Sequence, residues 1–321
     1  MKYSYCGMSG LQLSILSLGL WHNFGLSDNF DEAKKMICFA FDKGITHFDL
    51  ANNYGPPPGS AETNFGKILK ENLQSHRDEM IISSKAGHLM WLGPYGDGSS
   101  RKNLMASINQ SLKRTGLEYF DIFYSHRYDR VTPVEETMQA LIDIVRQGKA
   151  LYVGVSKYPP EKAEQAMKIL KEQHVPCLIF QDKYSMLHRD PEKTIFEVVQ
   201  NNGSGFIGFS SLAQGILSDK YLNGIPAESR AANPDGFLRK EQITQELVAI
   251  VKQLNEIAKE RNQTLAQMVL AWALRKEIVT SLIVGTRSIK QLDDNLKAID
   301  NLKFSEDELR RIDSILSSFV L

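Results

Sequence analysis

The feature that most constrains this chain is a rhythm. Short runs rich in β-branched and aromatic residues recur along it, each followed by a longer segment of helical periodicity, which is the pattern of successive βαβ units around a parallel sheet. The runs fall at residues 17–21, 46–50, 80–84, 120–125, 151–155, 178–181, 206–210 and 281–284. Eight such strands close a barrel, and 321 residues suffice for one, since α/β barrels run as single domains of roughly 250 residues and more. The expected class is α/β, a (β/α)8 TIM barrel in one domain over residues 1–321, with an open doubly wound sheet as the alternative.

Several element ends can be read directly. Asp31 is placed to cap a helix that stops at Gly44, and Thr132-Pro133 opens one that stops at Gly148. In the latter, Val134, Met138, Leu141, Ile142 and Val145 form an apolar stripe at helical spacing, a core face. Ser305 with Glu308 reads as a capping box opening a C-terminal helix over 305–321. Two stretches fall outside the rhythm. Residues 1–16 alternate weakly about Met8-Ser9-Gly10 and are expected to form a hairpin over the barrel floor. Residues 215–240 make a long connection carrying Gly, Pro, Asn and Arg, expected to be a cofactor or lid loop.

Composition narrows the function classes. Lys plus Arg and Asp plus Glu number 38 each, so no global field draws the chain to nucleic acid or an anionic membrane. The start lacks a signal-like apolar region and no apolar run reaches about 18 residues. Cys6, Cys38 and Cys177 lie far apart without C-x-x-C spacing, suggesting buried thiols in a reducing compartment. These features point to a cytoplasmic protein with a small-molecule partner. The seven histidines show no metal-ligand spacing, and the sequons at Asn109, Asn202 and Asn262 read as chance.

The polar residues of interest lie at or just beyond strand ends, the face where barrels of this class place their chemistry. The second strand ends in Phe48-Asp49-Leu50-Ala51-Asn52-Asn53-Tyr54-Gly55, the third reaches Lys85, and the fourth is followed by His126. An unperturbed tyrosine titrates near 10, too high for easy proton donation and return at neutral pH. An ammonium beside it favours the phenolate, and a carboxylate keeps that ammonium charged and oriented. Asp49, Lys85 and Tyr54 can supply that chain, and His126 can donate to a carbonyl oxygen and set its orientation.

These residues resemble the catalytic tetrad of the aldo-keto reductase superfamily. The likeness covers nearly the whole chain, continuing through Leu151-Tyr152-Val153-Gly154-Val155-Ser156, Gln181, Phe209-Ser210-Ser211-Leu212-Ala213-Gln214-Gly215, and Gly285-Thr286-Arg287 with Gln291 and Asn295. Residues 19–25, 54–62 and 91–96 most resemble bacterial reductases of L-glyceraldehyde 3-phosphate, similar to the potassium-channel β-subunit branch. The resemblance implies NADPH-dependent reduction of small aldehydes, L-glyceraldehyde 3-phosphate and methylglyoxal among them, NADH being the weaker reductant. It also implies assembly into homo-oligomers. By position, Tyr54 would be the acid, Lys85 and Asp49 its tuning pair, and His126 the carbonyl orienter. Ser156, Lys157 and Gln181 would meet the carboxamide, and Phe209, with Ser210 and Trp21 nearby, the nicotinamide ring. Leu212, Gln214, Gly215, Leu217, Ser218 and Lys220 would line the pyrophosphate; Gly285, Thr286, Arg287, Gln291, Asp294 and Asn295 would hold the adenosine end.

Two departures from the family pattern stand out. Lys157 follows Ser156 where many members carry Asn, so one carboxamide contact is lost or replaced by a cation. Gly285 stands where single-chain mammalian relatives place a phosphate-binding Lys, leaving Arg287, Ser288 or Lys290 to meet a 2′-phosphate. For the substrate, Trp21, Tyr54, Trp91 and His126 are candidate walls, with Tyr95 beside them, and Arg127 or Arg101 a candidate phosphate partner. Gly203-Ser204-Gly205-Phe206-Ile207-Gly208 matches G-x-G-x-x-G, but it enters a strand rather than opening a helix, the wrong context for that fingerprint. Two other functions compete: a barrel enzyme using Lys85 as a Schiff-base nucleophile, and a nicotinamide-binding redox-sensing subunit with slow turnover.

Overall fold

A computed structural model describes residues 1–227, 229–232 and 238–317. Ten strands occur among them. β1 (Tyr3–Tyr5) and β2 (Gln12–Ser14) pair antiparallel. The others are β3 (Leu16–Gly19), β4 (His47–Asp49), β5 (Ile81–Ala86), β6 (Phe120–Ser125), β7 (Ala150–Ser156), β8 (Cys177–Lys183), β9 (Gly205–Phe209) and β10 (Val279–Val284). Those eight are parallel neighbours in chain order, and β10 returns to β3 to close the barrel. The expected (β/α)8 class therefore holds, with each strand within two residues of its expected bounds. Closure leaves no open edge.

The helices follow the physics of their ends. The helix Phe30–Asp42 is capped by Asn29, whose side chain accepts from the Glu32 amide. This corrects the reading of Asp31, which lies inside the first turn, where a carboxylate suits the helix dipole. The helix Val134–Arg146 buries Val134, Met138, Leu141 and Ile142, with Val145 half-buried, and Gly148 turns the chain beyond it at φ 70°. Truncating one such core leucine to alanine costs about 2 to 5 kcal/mol. Ser305 and Glu308 exchange backbone bonds of 3.2 and 2.6 Å, the expected capping box, at the head of the helix Glu306–Ser317. The last residues of the 305–321 segment lie outside the described ones, as do 228 and 233–237 of the 215–240 loop.

The hairpin packs at the N-terminal end of the strands. The Met8 amide donates to the Gly203 carbonyl at 2.8 Å, and Cys6 is fully buried against Leu178. A Cβ on Gly205 would sit 2.6 Å from Thr280 Oγ1 and 2.8 Å from Cys6 Sγ, so glycine there lets the hairpin close. The G-x-G-x-x-G run thus belongs to the floor and to β9. Cys6 and Cys177 are buried thiols, while Cys38 is only half-buried. No helix of the described residues is long and apolar enough to cross a membrane.

Candidate active site

The C-terminal strand ends open into one cleft of about 640 Å³. Gly19, Asp49, Gln181, Phe209 and Val284 line it from β3, β4, β8, β9 and β10. Tyr54, His88, His126 and Lys157 reach it from the segments after β4, β5, β6 and β7. At its base, the Lys85 ammonium, fully buried, donates to Asp49 Oδ2 at 2.6 Å, to the Leu50 carbonyl at 2.6 Å and to the Tyr54 hydroxyl at 3.3 Å. All three of its N–H donors are engaged, which leaves no nucleophilic lone pair and speaks against the Schiff-base alternative.

Burial sets the protonation states. It pushes the Tyr54 phenol well above its usual value, and the Asp49 charge adds to that. This reverses the expected direction: desolvation outweighs the neighbouring ammonium, and the phenol keeps its proton at neutral pH. Burial also lowers Lys85, which Asp49 counteracts through its charge and hydrogen bond. His126 is pulled well below the usual imidazole range by burial, with Lys85 adding to it, so its ring is neutral. It sits edge-on to Tyr54 at a ring separation of 5.9 Å, and its buried Nδ1 has no partner.

Asp49 is held from behind by Gln181, which the resemblance places at the carboxamide, and by residues that strand-end reading missed. Ser83 donates to its Oδ1 at 2.8 Å and Gln181 Nε2 at 3.2 Å. The His47 ring, fully buried, spans Ser17 Oγ at 2.9 Å and Ser83 Oγ at 3.0 Å. His88 was also missed. It edges onto His126 with ring centroids 4.4 Å apart, and its place just past β5 is the same signal that marked His126 beyond β6.

The other expected site residues divide into those that face the cleft and those that do not. Trp21, Lys157, Gln181, Phe209, Ser210, Leu212, Gln214, Gly215, Ser218, Lys220, Gly285, Arg287, Gln291, Asp294 and Asn295 line it, and Trp21 stacks on Tyr54 at 6.1 Å. Ser156 lies buried one residue before Lys157. The Leu217 side chain is in the core, and the Thr286 hydroxyl turns away to the Ser288 carbonyl at 2.9 Å, so neither side chain lines the cleft. Trp91 is half-buried in the loop after β5, outside the lining. Arg127 pairs with Asp97 at 2.8 Å and Arg101 with Asp143; neither is in the lining, although the Arg127 charge reaches His88, His126 and Lys157.

The cleft suits a long anionic dinucleotide. At the end remote from Tyr54, Arg287 and Arg230 depress the Lys220 ammonium after burial does so. Along the wall, Ser211 Oγ and Asn295 Nδ2 are buried without hydrogen-bond partners, a cost that a polar ligand removes; Ser156 Oγ, buried next to Lys157, also lacks one. Residues 15–317 match the sequence model of the Aldo/keto reductase family. The L-glyceraldehyde 3-phosphate reductase of Escherichia coli O157:H7 is 53% identical over 317 residues, spanning 98% of this chain and 92% of its own. The enzyme of the same name from Escherichia coli strain K12 is 52% identical over the same shares. Closed barrel, buried tyrosine–lysine–aspartate cluster and full-length similarity agree: the chain belongs to the aldo/keto reductase family and is an oxidoreductase that uses a nicotinamide cofactor.

Proposed function

We propose that this protein reduces short aldehydes, L-glyceraldehyde 3-phosphate and methylglyoxal among them, to alcohols with NADPH, and that Tyr54 gives the proton. The observation that carries this reading is the Lys85 ammonium, saturated by Asp49, the Leu50 carbonyl and Tyr54 directly beneath the cleft.

When bound, the nicotinamide supplies hydride to the carbonyl carbon. The chain's own residues do the rest. Tyr54 holds its proton until negative charge develops on the carbonyl oxygen, because burial makes free phenolate costly. As that proton leaves, Lys85 stands 3.3 Å from the new phenolate and stabilises it, while Asp49 keeps the ammonium charged. His126, neutral and fixed by its amide bond to the Ala86 carbonyl at 2.8 Å, donates to the same oxygen and orients the aldehyde. One such donor to a developing oxyanion contributes roughly 3 kcal/mol. Ser156 and Gln181 would hold the carboxamide, and Phe209 would give its face to the nicotinamide ring. Gln214, Gly215, Ser218 and Lys220, with backbone of Leu212 and Leu217, would meet the pyrophosphate. Arg287, Gln291, Asp294 and Asn295, with backbone of Gly285 and Thr286, would hold the adenosine end and its 2′-phosphate.

The test is NADPH and NADH oxidation with a panel of short aldehydes, comparing the native enzyme with Tyr54→Phe. Expected is a fall in kcat of about a thousandfold with the cofactor Kd within twofold. Equal turnover by both proteins would remove Tyr54 as the acid.

A further inference from the structure

Among the described residues, the charged groups of the cleft sort into two sets, and one cation, Lys157, belongs to neither. Three acids among the described residues line it: Asp49, Asp219 and Asp294. Asp49 is consumed by Lys85, Ser83 and Gln181. Asp294 accepts from Gln267 at 2.9 Å and from Thr264 at 3.3 Å, and Asp219 lies beside Lys220 at the remote end. Lys220, Arg230 and Arg287 gather at that end, as the phosphates of a dinucleotide require. Lys157 stands apart, at the carbonyl end.

Among the described residues, no carboxylate forms an ion pair with Lys157. Its ammonium lies instead over the Phe209 ring, 5.2 Å from the centroid. Asp182, the acid whose charge it feels, has an oxygen occupied by the Lys183 amide at 2.7 Å. The Lys157 backbone is left-handed, φ 55°, with its amide donating to the Gln181 carbonyl at 3.1 Å. That conformation is costly for a residue with a Cβ, and here it fixes the stem at the barrel mouth. The side chain is open to the cleft, and its charge reaches both His88 and His126. His88 lines the same wall, half-buried against His126.

Resting on the reading of this site as an aldehyde reductase, we propose that Lys157 and His88 form an anion subsite for the phosphate of short phosphorylated aldehydes. In a three-carbon phosphoaldehyde the phosphate lies one short chain away from the carbonyl, so its receptor must neighbour Tyr54 and His126. Lys157 and His88 share that wall, whereas Arg127 and Arg101 are paired with acids outside the lining. A lysine on a flexible stem offers three donors to a phosphate without demanding bidentate geometry. The neutral His88 ring adds an N–H donor. An unpaired ammonium in a narrow cleft also draws an anionic substrate toward the reacting end.

The test compares kcat/KM for L-glyceraldehyde 3-phosphate with that for unphosphorylated glyceraldehyde in native enzyme, Lys157→Met and Lys157→Arg, with calorimetry of inorganic phosphate binding to the NADPH-saturated proteins. Expected is a fall of tenfold or more in the phosphorylated-to-unphosphorylated preference in Lys157→Met, recovery of most of it in Lys157→Arg, and weakened phosphate binding in Lys157→Met alone. A preference unchanged by Lys157→Met, or equal phosphate affinity in native enzyme and Lys157→Met, overturns the subsite. Should native enzyme fail to oxidise NADPH with any aldehyde, the reductase reading fails, and the calorimetry alone decides whether the anion site exists.

Discussion

The two ends of the cleft handle charge in opposite ways. At the carbonyl end, Lys85 and Asp49 are 0% and 2% exposed and neutralise each other across 2.6 Å. At the remote end, Lys220, Arg230 and Arg287 repel one another around a space that opens to solvent. The first arrangement is complete within the protein, so its charges are fixed before any ligand arrives, which is what preorganised catalysis needs. The second gathers like charges that an entering anion offsets, which is what binding needs. Substitutions at the first end should therefore disturb stability and turnover together, and those at the second should disturb affinity alone.

Lys85→Met gives the largest expected separation between the ends. It strands a buried Asp49 carboxylate, and breaking a buried pair costs about 3 to 5 kcal/mol. It also removes the cation that receives phenolate charge, so kcat should fall by about a thousandfold. Urea unfolding and NADPH oxidation measure the two effects. If Lys85→Met retained native stability, the carbonyl end would not be the internally neutralised unit described above.

The next effect lies beneath that pair and appears as pH dependence. Burial, with Lys85 adding to it, lowers His47 from 6.5 to about 4 against the pull of Asp49. A histidine whose pKa is depressed by folding is protonated more readily in the unfolded chain. Its contribution is therefore complete above the unfolded value and is lost as pH falls through the folded one. The window runs from pH 6.5 down to about 4, and the loss amounts to about 3 kcal/mol. His88, lowered to about 4 by burial and then by Lys157 and Arg127, acts in the same window, with a smaller effect because it is only half-buried. In His47→Gln, the drop in unfolding midpoint across this window should be visibly smaller than in the native protein. Parallel pH curves for the two would show that His47 is not a source of it.

At the other end, Arg287→Ala should raise the NADPH Kd about tenfold, about 1.4 kcal/mol, through loss of one charge-assisted phosphate contact. NADH, which lacks the 2′-phosphate, should change less, and fluorescence titration separates the two. Equal losses for both cofactors would move Arg287 from the 2′-phosphate to some part that they share.

What was legible in the sequence follows the same division. The barrel could be read because each strand is a short β-branched or aromatic run and each helix has ordinary end signals. Asp49, Tyr54, Lys85 and His126 could be found because strand ends in a parallel barrel converge on one face. The support behind Asp49 could not. Ser17, His47 and Ser83 lie on three different strands within the barrel, and their contact depends on register, which pairs His47 with Ile81 and Asp49 with Ser83. A one-residue shift would turn each side chain to the other face. The direction of the Tyr54 shift was missed for a related reason: residue types reveal that an ammonium is near, but not how completely water is excluded. Asn29 was passed over as a cap because Asp31 is also a good N-terminal residue, and only backbone geometry shows which carries the first extended φ/ψ.

The smallest expected effect concerns Lys220. Its ammonium is lowered by burial first and then by Arg287 and Arg230, with Asp219 opposing. Removing it in Lys220→Met relieves repulsion instead of stranding a partner, so the unfolding midpoint should hold steady or rise by a few tenths of a kcal/mol, since the side chain is largely exposed. Cofactor affinity should weaken only a few-fold, because two arginines remain. The decisive reading is the salt dependence. The native NADPH Kd should rise with ionic strength as screening shortens the reach of the cluster, and the slope should be shallower in Lys220→Met. Identical slopes would mean that Lys220 contributes no field at the remote end, and the binding half of the cleft would reduce to Arg230 and Arg287.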